Sequence, residues 1–120
     1  MGKRNTARRL AMQCIYQYEI KDDEFQNIVQ DTIEDANFVE DTKSFATELA
    51  NQIYAKLPEI DSIIKEKSID WSFDRMAKID KSVLRVAICE LLLGDTPESV
   101  VINEAVEIAK KYSSKESSNL

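Results

Sequence analysis

Apolar residues recur at helical spacing along almost the whole chain, and this pattern limits the fold more than any other feature of the sequence. Near the start they fall at i, i+3, i+4, i+7, i+8 and i+11, which is one face of an α-helix: Ala7, Leu10, Ala11, Cys14, Ile15 and Tyr18. Only two Gly and two Pro occur in 120 residues. Because tight β-turns favour these two residue types, their scarcity argues against a sheet. The sequence therefore predicts an all-α protein.

Further apolar repeats predict five more helices, which makes a compact bundle of about six. They cover residues 25–33, 45–57, 60–64, 79–93 and 101–112. We expect Pro58 to stop the third helix, and Asp80 and Gly94 to cap the two ends of the fifth. The fifth helix is apolar over most of its circumference, which predicts a position at the bundle centre. After Tyr112 the polar run SSKESSNL is interpreted as a linker.

Charge is divided unevenly along this chain of net charge −6. The first 18 residues hold no acid and four cations, whereas residues 19–41 hold nine acids and a single cation. A local basic segment in an acidic protein is typical of a surface that binds a negatively charged partner. The acidic segment is interpreted as solvated surface, with a partner-binding face as the alternative.

The composition argues against an enzyme. The sequence contains no His, the commonest general base and metal ligand. Catalysis by carboxylates or Cys alone stays open, but we expect no catalytic residue, metal or cofactor. Cys14 and Cys89 lie in apolar helical patterns and are expected to be buried thiols in a cytoplasmic protein. No apolar run approaches the roughly 20 residues that span a bilayer. The opening MGKRNT also fits the permissive myristoylation template, which leaves attachment to a membrane surface open.

The basic first helix carries the candidate binding residues. On a helical wheel Arg9 and Tyr16 lie opposite the apolar face, Arg4 and Arg8 flank it, and Lys3 precedes them. Guanidinium groups pair with phosphates and an aromatic ring stacks on an unpaired base, so this combination suits single-stranded RNA. Four cations predict a salt slope no steeper than about −3, so useful affinity requires a second protein beside this one. A solvated basic helix start is the alternative.

Several motifs follow one another in a characteristic order. Trp71 and Arg75 precede the run IDKSVLRVA at 79–87, which leads to Glu90, and VINEAVEIAK follows at 101–110. At the front stand Ala7-Arg8 and, further along, Ile15-Tyr16. With these motifs the chain resembles the NusB family of transcription antitermination factors over nearly its whole length, least so at residues 20–45.

The resemblance implies a non-enzymatic, all-helical protein made of two small antiparallel bundles packed together. Its implied ligands are the boxA element of ribosomal RNA leader transcripts and NusE, a ribosomal protein, within the RNA polymerase antitermination complex. The family's arginine-rich first helix faces RNA, which carries over to Arg4 and Arg8 and by proximity to Lys3, Arg9 and Tyr16. Acidic family positions near the protein partner and the RNA edge fall on Asp74, Asp80 and Glu116.

Two departures from the family pattern change the expectations. Asn5 and Thr6 stand where further cations often occur, which predicts weaker RNA binding. The chain is expected to be a single NusB-like RNA-binding domain over residues 1–120 that lacks the family's last helix, since it ends at Leu120. We expect the missing helix to expose apolar surface on the sixth helix, lowering stability or producing a homodimer.

Two other functions stay open at this point. NusB-like domains also precede RNA cytosine methyltransferase domains, and a helical interaction module without RNA is the third possibility. Single residues inside the helices receive structural interpretations: ion pairs for Arg85 and Glu90, a packing anchor for Trp71, and capping or interhelical bonding for Asn103 and Glu104.

Overall fold

The structure is a computed structural model that describes residues 2–68 and 72–118, with the backbone alone for 113–118. It contains six α-helices: α1 (Lys3–Ile20), α2 (Phe25–Val29), α3 (Glu40–Ala55), α4 (Leu57–Lys67), α5 (Lys78–Leu93) and α6 (Glu98–Ser118). A π-helical turn, Gln30–Glu34, directly follows α2, and a 3-10 turn, Phe73–Arg75, precedes α5. Within the described ranges there is no β-strand. The prediction of an all-α fold with six helices is confirmed.

The helices form two compact units. Met1–Ala55 holds α1, α2 and α3, and Lys56–Leu120 holds α4, α5 and α6. The main helix pairs are α1 with α3 in the first unit and α5 with α6 in the second. This division agrees with the two sub-bundles that the resemblance implied. The assignment of residues 1–120 to a single domain without a last helix stays a prediction.

The core of the first unit is built on α1 and α3. Every apolar residue predicted for α1 up to Ile15 is buried, and Met12, which does not belong to that apolar repeat, is also fully buried. Ala46 and Ala50 are buried on α3, and because alanine has a minimal side chain the two helices approach closely. The helix α1 is therefore covered on more than one side.

An aromatic cluster closes one end of this unit. The rings of Phe25 and Tyr54 stack with centroids 4.4 Å apart, and Tyr18 meets them edge-on at 5.6 and 5.2 Å. Such pairs contribute about 0.5–1.5 kcal/mol each beyond their buried area. The cluster joins α1, α2 and α3 by side chains that are far apart in the sequence.

The core of the second unit lies along one side of α5. Val83, Val86 and Cys89 of α5 are buried, as are Val101 and Ile108 of α6. The leucines of α5 are not: Leu84, Leu91, Leu92 and Leu93 are all at least 37% exposed. The prediction that α5 lies at the bundle centre is therefore wrong among the described residues, since Leu84 and the three leucines of its last turn are exposed there.

Three predicted helix boundaries need correction. The third helix ends at Ala55, and Pro58 lies in the first turn of α4, where its missing N–H leaves no hydrogen bond unmade. Asp80 is not the N-cap of α5: Ala77 holds that position, and Asp80 lies in the first turn, near the positive end of the helix dipole. The backbone after Tyr112 is helical as far as Ser118, so the predicted linker is wrong there.

The predicted end of α5 at Gly94 agrees with the structure, whereas two other predictions fall on residues that the structure does not describe. Gly94 ends α5 with a φ of 73°, a left-handed conformation that glycine adopts without a steric cost, so its role as the C-cap is confirmed. Trp71 and Leu120 lie outside the described residues. The role of Trp71 as a packing anchor stays a prediction.

Candidate nucleic-acid interface

The first turn of α1 carries cations and contains no acidic residue that would offset their charge. Gly2 is the N-cap and makes no side-chain hydrogen bond. Lys3 and Arg4 oppose the helix dipole there, because the N-terminal end of a helix already carries partial positive charge. These cations do not stabilise α1, and together with the positive end of the helix dipole they favour a negatively charged ligand.

Two contacts hold the first cations beside α3. The Nζ atom of Lys3 lies 3.7 Å from Oδ2 of Asp41, and both side chains are mostly exposed. An exposed ion pair at this distance contributes little to stability, so a phosphate can readily replace Asp41 as the partner of Lys3. The guanidinium carbon of Arg4 lies 5.0 Å from the ring centroid of Phe45. Stacking on the ring orients the guanidinium plane while its N–H edge stays available for hydrogen bonds.

The next two arginines are held by the preceding helical turn. The Nη1 group of Arg8 donates to Oδ1 of Asn5 at 2.9 Å, and the Nη2 group of Arg9 donates to Oγ1 of Thr6 at 3.3 Å. Asn5 and Thr6, which stand where the family often has cations, thus act as acceptors. Sequence reasoning missed this role, although the spacing of three residues was its visible signal.

The exposure of the predicted RNA-binding residues differs from the helical-wheel expectation. Lys3 and Arg4 are exposed, Arg9 and Tyr16 are half-buried, and Arg8 is only 4% exposed. The position expected for Arg8, at the accessible margin of the helix, is therefore wrong. Its role as an RNA contact stays a prediction, as do those of Lys3, Arg4, Arg9 and Tyr16.

The predicted protein-partner residues belong to the second unit. Asp74 is exposed in the 3-10 turn, and Asp80 is half-buried in the first turn of α5. The side chain of Glu116 lies outside the described part of the chain. Contacts of these three residues with a protein partner stay predictions.

A second group of cations in this unit surrounds Phe73. Lys65 and Lys81 place Nζ 5.0 and 4.6 Å from the ring centroid, and Arg85 places its guanidinium carbon at 5.6 Å. Sequence reasoning did not single out Phe73, because only the fold brings the cations of α4 and α5 to one ring.

The predicted ion pair of Arg85 is confirmed. Its Nε and Nη2 groups donate to the two carboxylate oxygens of Asp61 at 2.8 and 3.0 Å. This two-point contact joins α5 to α4 and leaves Arg85 a structural role. Glu90 is buried as predicted, with 4% exposure, and its ion pairing stays a prediction.

The thiols have no properties of catalytic nucleophiles. Cys14 and Cys89 are free and buried, as predicted. Burial raises the pKa of Cys14 to about 12 and that of Cys89 to about 11. Because the thiolate is the reactive form, both groups are unreactive near neutral pH.

The described residues also contain no cluster of three or more His, Cys, Asp or Glu side chains arranged to hold a metal ion. No helix in the described ranges combines the length and apolar character needed to cross a bilayer. The fold and the site together define a class: a small all-helical protein whose candidate binding surface is a cationic helix start.

Comparison with known proteins identifies the family. A model described as "NusB family" matches residues 5–120. The transcription antitermination protein NusB of Ruminiclostridium cellulolyticum is 38% identical over 117 residues, covering 97% of this chain and 80% of that protein. NusB of Thermodesulfovibrio yellowstonii is 41% identical over 126 residues, with 96% and 83% covered. The chain belongs to the NusB family.

Solved structures agree with this assignment. T. maritima NusB superimposes with a TM-score of 0.83 at 30% identity, covering 93% of this chain and 79% of that one. A chain from a crystal structure of the antitermination factors NusB and NusE in complex with dsRNA also matches. Its TM-score is 0.83 at 26% identity, and the match covers 93% of this chain and 84% of that one.

Proposed function

We propose that this chain is a non-enzymatic transcription antitermination factor that binds boxA-type leader RNA together with NusE in the transcription of ribosomal RNA. The observation that carries the proposal is the likeness to the complex of NusB and NusE with dsRNA, over 93% of this chain. The cationic start of α1 supports it independently, because cations that oppose their own helix dipole favour an anionic ligand.

In this proposal the start of α1 neutralises the RNA backbone. Lys3 and Arg4 bind phosphates through exposed charged groups, and Asn5 and Thr6 orient Arg8 and Arg9 behind them. Tyr16, which is half-buried, is the proposed stacking partner for a base, a contact worth about 1–3 kcal/mol where it occurs.

NusE is the proposed second ligand, and its contribution is cooperative. Few cations are exposed on α1, so RNA affinity of the chain alone is low and its salt dependence shallow. A protein partner that adds contacts to the same RNA raises the affinity of each ligand for the other by an equal factor. Asp74, Asp80 and Glu116 are the proposed partner contacts.

We also propose that the chain has no enzymatic activity and acts in the cytoplasm. The sequence contains no His, and both thiols are buried with a raised pKa. Binding, with no turnover, is sufficient for an adaptor of the transcription complex.

The direct test is a salt-dependent titration of labelled boxA-type RNA with the chain and with Arg4→Ala. We expect the variant to weaken binding by about fivefold at low salt and to reduce the salt slope by about 0.7, the contribution of one phosphate contact. Arg75→Ala, which removes an exposed arginine of the 3-10 turn, is the matched control.

Two results bear on the outcome. Equal losses for Arg4→Ala and Arg75→Ala would place the RNA elsewhere than on α1. Running single-stranded and double-stranded forms of the same sequence in parallel identifies the form that the chain prefers, and no binding to either would contradict the proposal.

A further inference from the structure

The helices α1 and α3 begin at the same end of the first unit. At that end Lys3 of α1 lies 3.7 Å from Asp41 of α3, and toward the other end the ring centroids of Tyr18 and Tyr54 lie 5.2 Å apart. The two helices therefore run in the same direction. The first turns of α3 lie beside the candidate RNA-binding residues of α1.

Two residues of α3 contact two consecutive cations of α1. Asp41 and Phe45 are four positions apart, so they lie on the same face of α3. Asp41 contacts the ammonium group of Lys3, and the ring of Phe45 lies 5.0 Å from the guanidinium carbon of Arg4. The contacts differ in kind, because a carboxylate takes the place that a phosphate would occupy, whereas an aromatic ring leaves the guanidinium N–H groups available.

Phe45 is placed to fix the orientation of Arg4. Its ring is half-buried, and the next residue, Ala46, is fully buried, so this part of α3 is anchored at the edge of the core. Arg4 is exposed and has a long side chain with many rotamers. Contact with an anchored ring restricts those rotamers, so less conformational entropy is lost when the guanidinium binds a phosphate.

Asp41 has the opposite effect on its cation. Its side chain is 86% exposed and that of Lys3 is 66% exposed, so the pair lies in solvent at the surface where RNA would approach. A phosphate that binds Lys3 displaces Asp41, and the carboxylate repels the RNA backbone. Asp41 nevertheless stabilises α3, because an acid in the first turn is favourable for the helix dipole.

We propose that Phe45 and Asp41 are positioning residues of the RNA interface with opposite effects on affinity. Phe45 presents Arg4 to a phosphate and strengthens RNA binding. Asp41 holds Lys3 and weakens RNA binding. The inference rests on the proposed function, since it concerns the same surface, and it extends that surface from α1 to α3, where sequence reasoning assigned no RNA-binding residue.

Titration of labelled boxA-type RNA at low salt tests the role of Phe45. Phe45→Leu is expected to weaken binding about threefold, and Phe45→Tyr, which keeps an aromatic ring, should bind as the unmodified chain does. In a chain that already carries Arg4→Ala, Phe45→Leu should cause no further loss, because the ring acts through Arg4. A purely structural role of the ring would lower affinity in both backgrounds.

The same titration tests the role of Asp41. Asp41→Asn is expected to strengthen RNA binding about threefold at low salt, and the gain should shrink as added salt screens the charges. Glu40→Gln is the matched control, since Glu40 lies in the same first turn of α3 and makes no ion pair with α1 among the described residues. With Lys3→Gln in the background, most of the gain from Asp41→Asn should disappear.

The contrary results separate this inference from the proposed function. Weaker binding by Arg4→Ala together with unchanged binding by Phe45→Leu would overturn the role of Phe45 and leave the function standing. Equal gains for Asp41→Asn and Glu40→Gln would likewise overturn the role of Asp41. No RNA binding by the unmodified chain would overturn the function and this inference together. Circular dichroism and urea unfolding of each variant distinguish lost binding from lost folding.

Discussion

Arg8 and Asn5 lie one helical turn apart on α1, and the Nη1 group of Arg8 donates a hydrogen bond of 2.9 Å to Oδ1 of Asn5. Only 4% of Arg8 is exposed. Loss of an acceptor from a buried guanidinium is costly, so this contact contributes to the stability of the first unit as well as to its candidate interface.

The first prediction follows from that burial. Asn5→Ala should lower the free energy of unfolding by about 1–2 kcal/mol, since it removes an acceptor from a buried cation. Arg8→Glu should destabilise the protein more than Arg9→Glu, because Arg9 is half-buried and Arg8 is buried. Urea unfolding followed by circular dichroism measures both differences, and equal stabilities for the two charge reversals would contradict the structural role of Arg8.

The second prediction concerns the ion pair between Arg85 and Asp61. Arg85→Met leaves the partly buried carboxylate of Asp61 without its partner and should cost about 3 kcal/mol of stability. The double variant with Asp61→Leu should cost less than the sum of the two single variants, because no charge is then left unpaired. The four-member cycle in urea gives the coupling, and additive losses would show that the pair contributes nothing beyond its separate side chains.

The third prediction concerns the thiols. Burial raises the pKa of Cys14 to about 12 and of Cys89 to about 11, against an ordinary value of 9.0. At pH 8 a thiol reagent should therefore modify neither cysteine rapidly in the folded protein, and both at once in concentrated urea. Rapid labelling of the folded chain would mean that a thiol is accessible.

The same raised pKa values give stability a pH dependence of known sign. As the pH rises above 9, the unfolded chain loses its thiol protons before the folded chain does. The contribution is fully present below about pH 9 and declines between about pH 9 and 12. Cys89→Ala should make this decline shallower, which urea unfolding at pH 8 and pH 10 measures.

Periodicity predicted the helices because burial of one face dominates their sequence pattern. It identified the core face of α1 from Ala7 to Ile15 and the Gly94 end of α5, where a single physical requirement fixes the residue. It did not predict that Met12 and Arg8 are buried, since a helical wheel shows how a helix is patterned and not how many sides its neighbours cover.

The remaining differences have similar causes. Pro58 is equally compatible with the residue after a helix and with the first turn of the next, so the pattern alone does not decide. The contacts of Asn5, Thr6 and Phe73 depend on side-chain rotamers and on the meeting of distant segments. The placement of the candidate residues on the first helix was therefore predictable, and their burial and contacts only in part, while their role in binding RNA stays a prediction.

The central claim is that the basic start of α1 binds RNA weakly alone and strongly beside NusE. Titrating labelled boxA-type RNA with the chain, with and without saturating NusE, tests it most directly. We predict that NusE raises RNA affinity at least tenfold and that Arg4→Ala lowers affinity both with and without NusE. An RNA affinity that NusE leaves unchanged, or that Arg4→Ala leaves unchanged, would contradict the account.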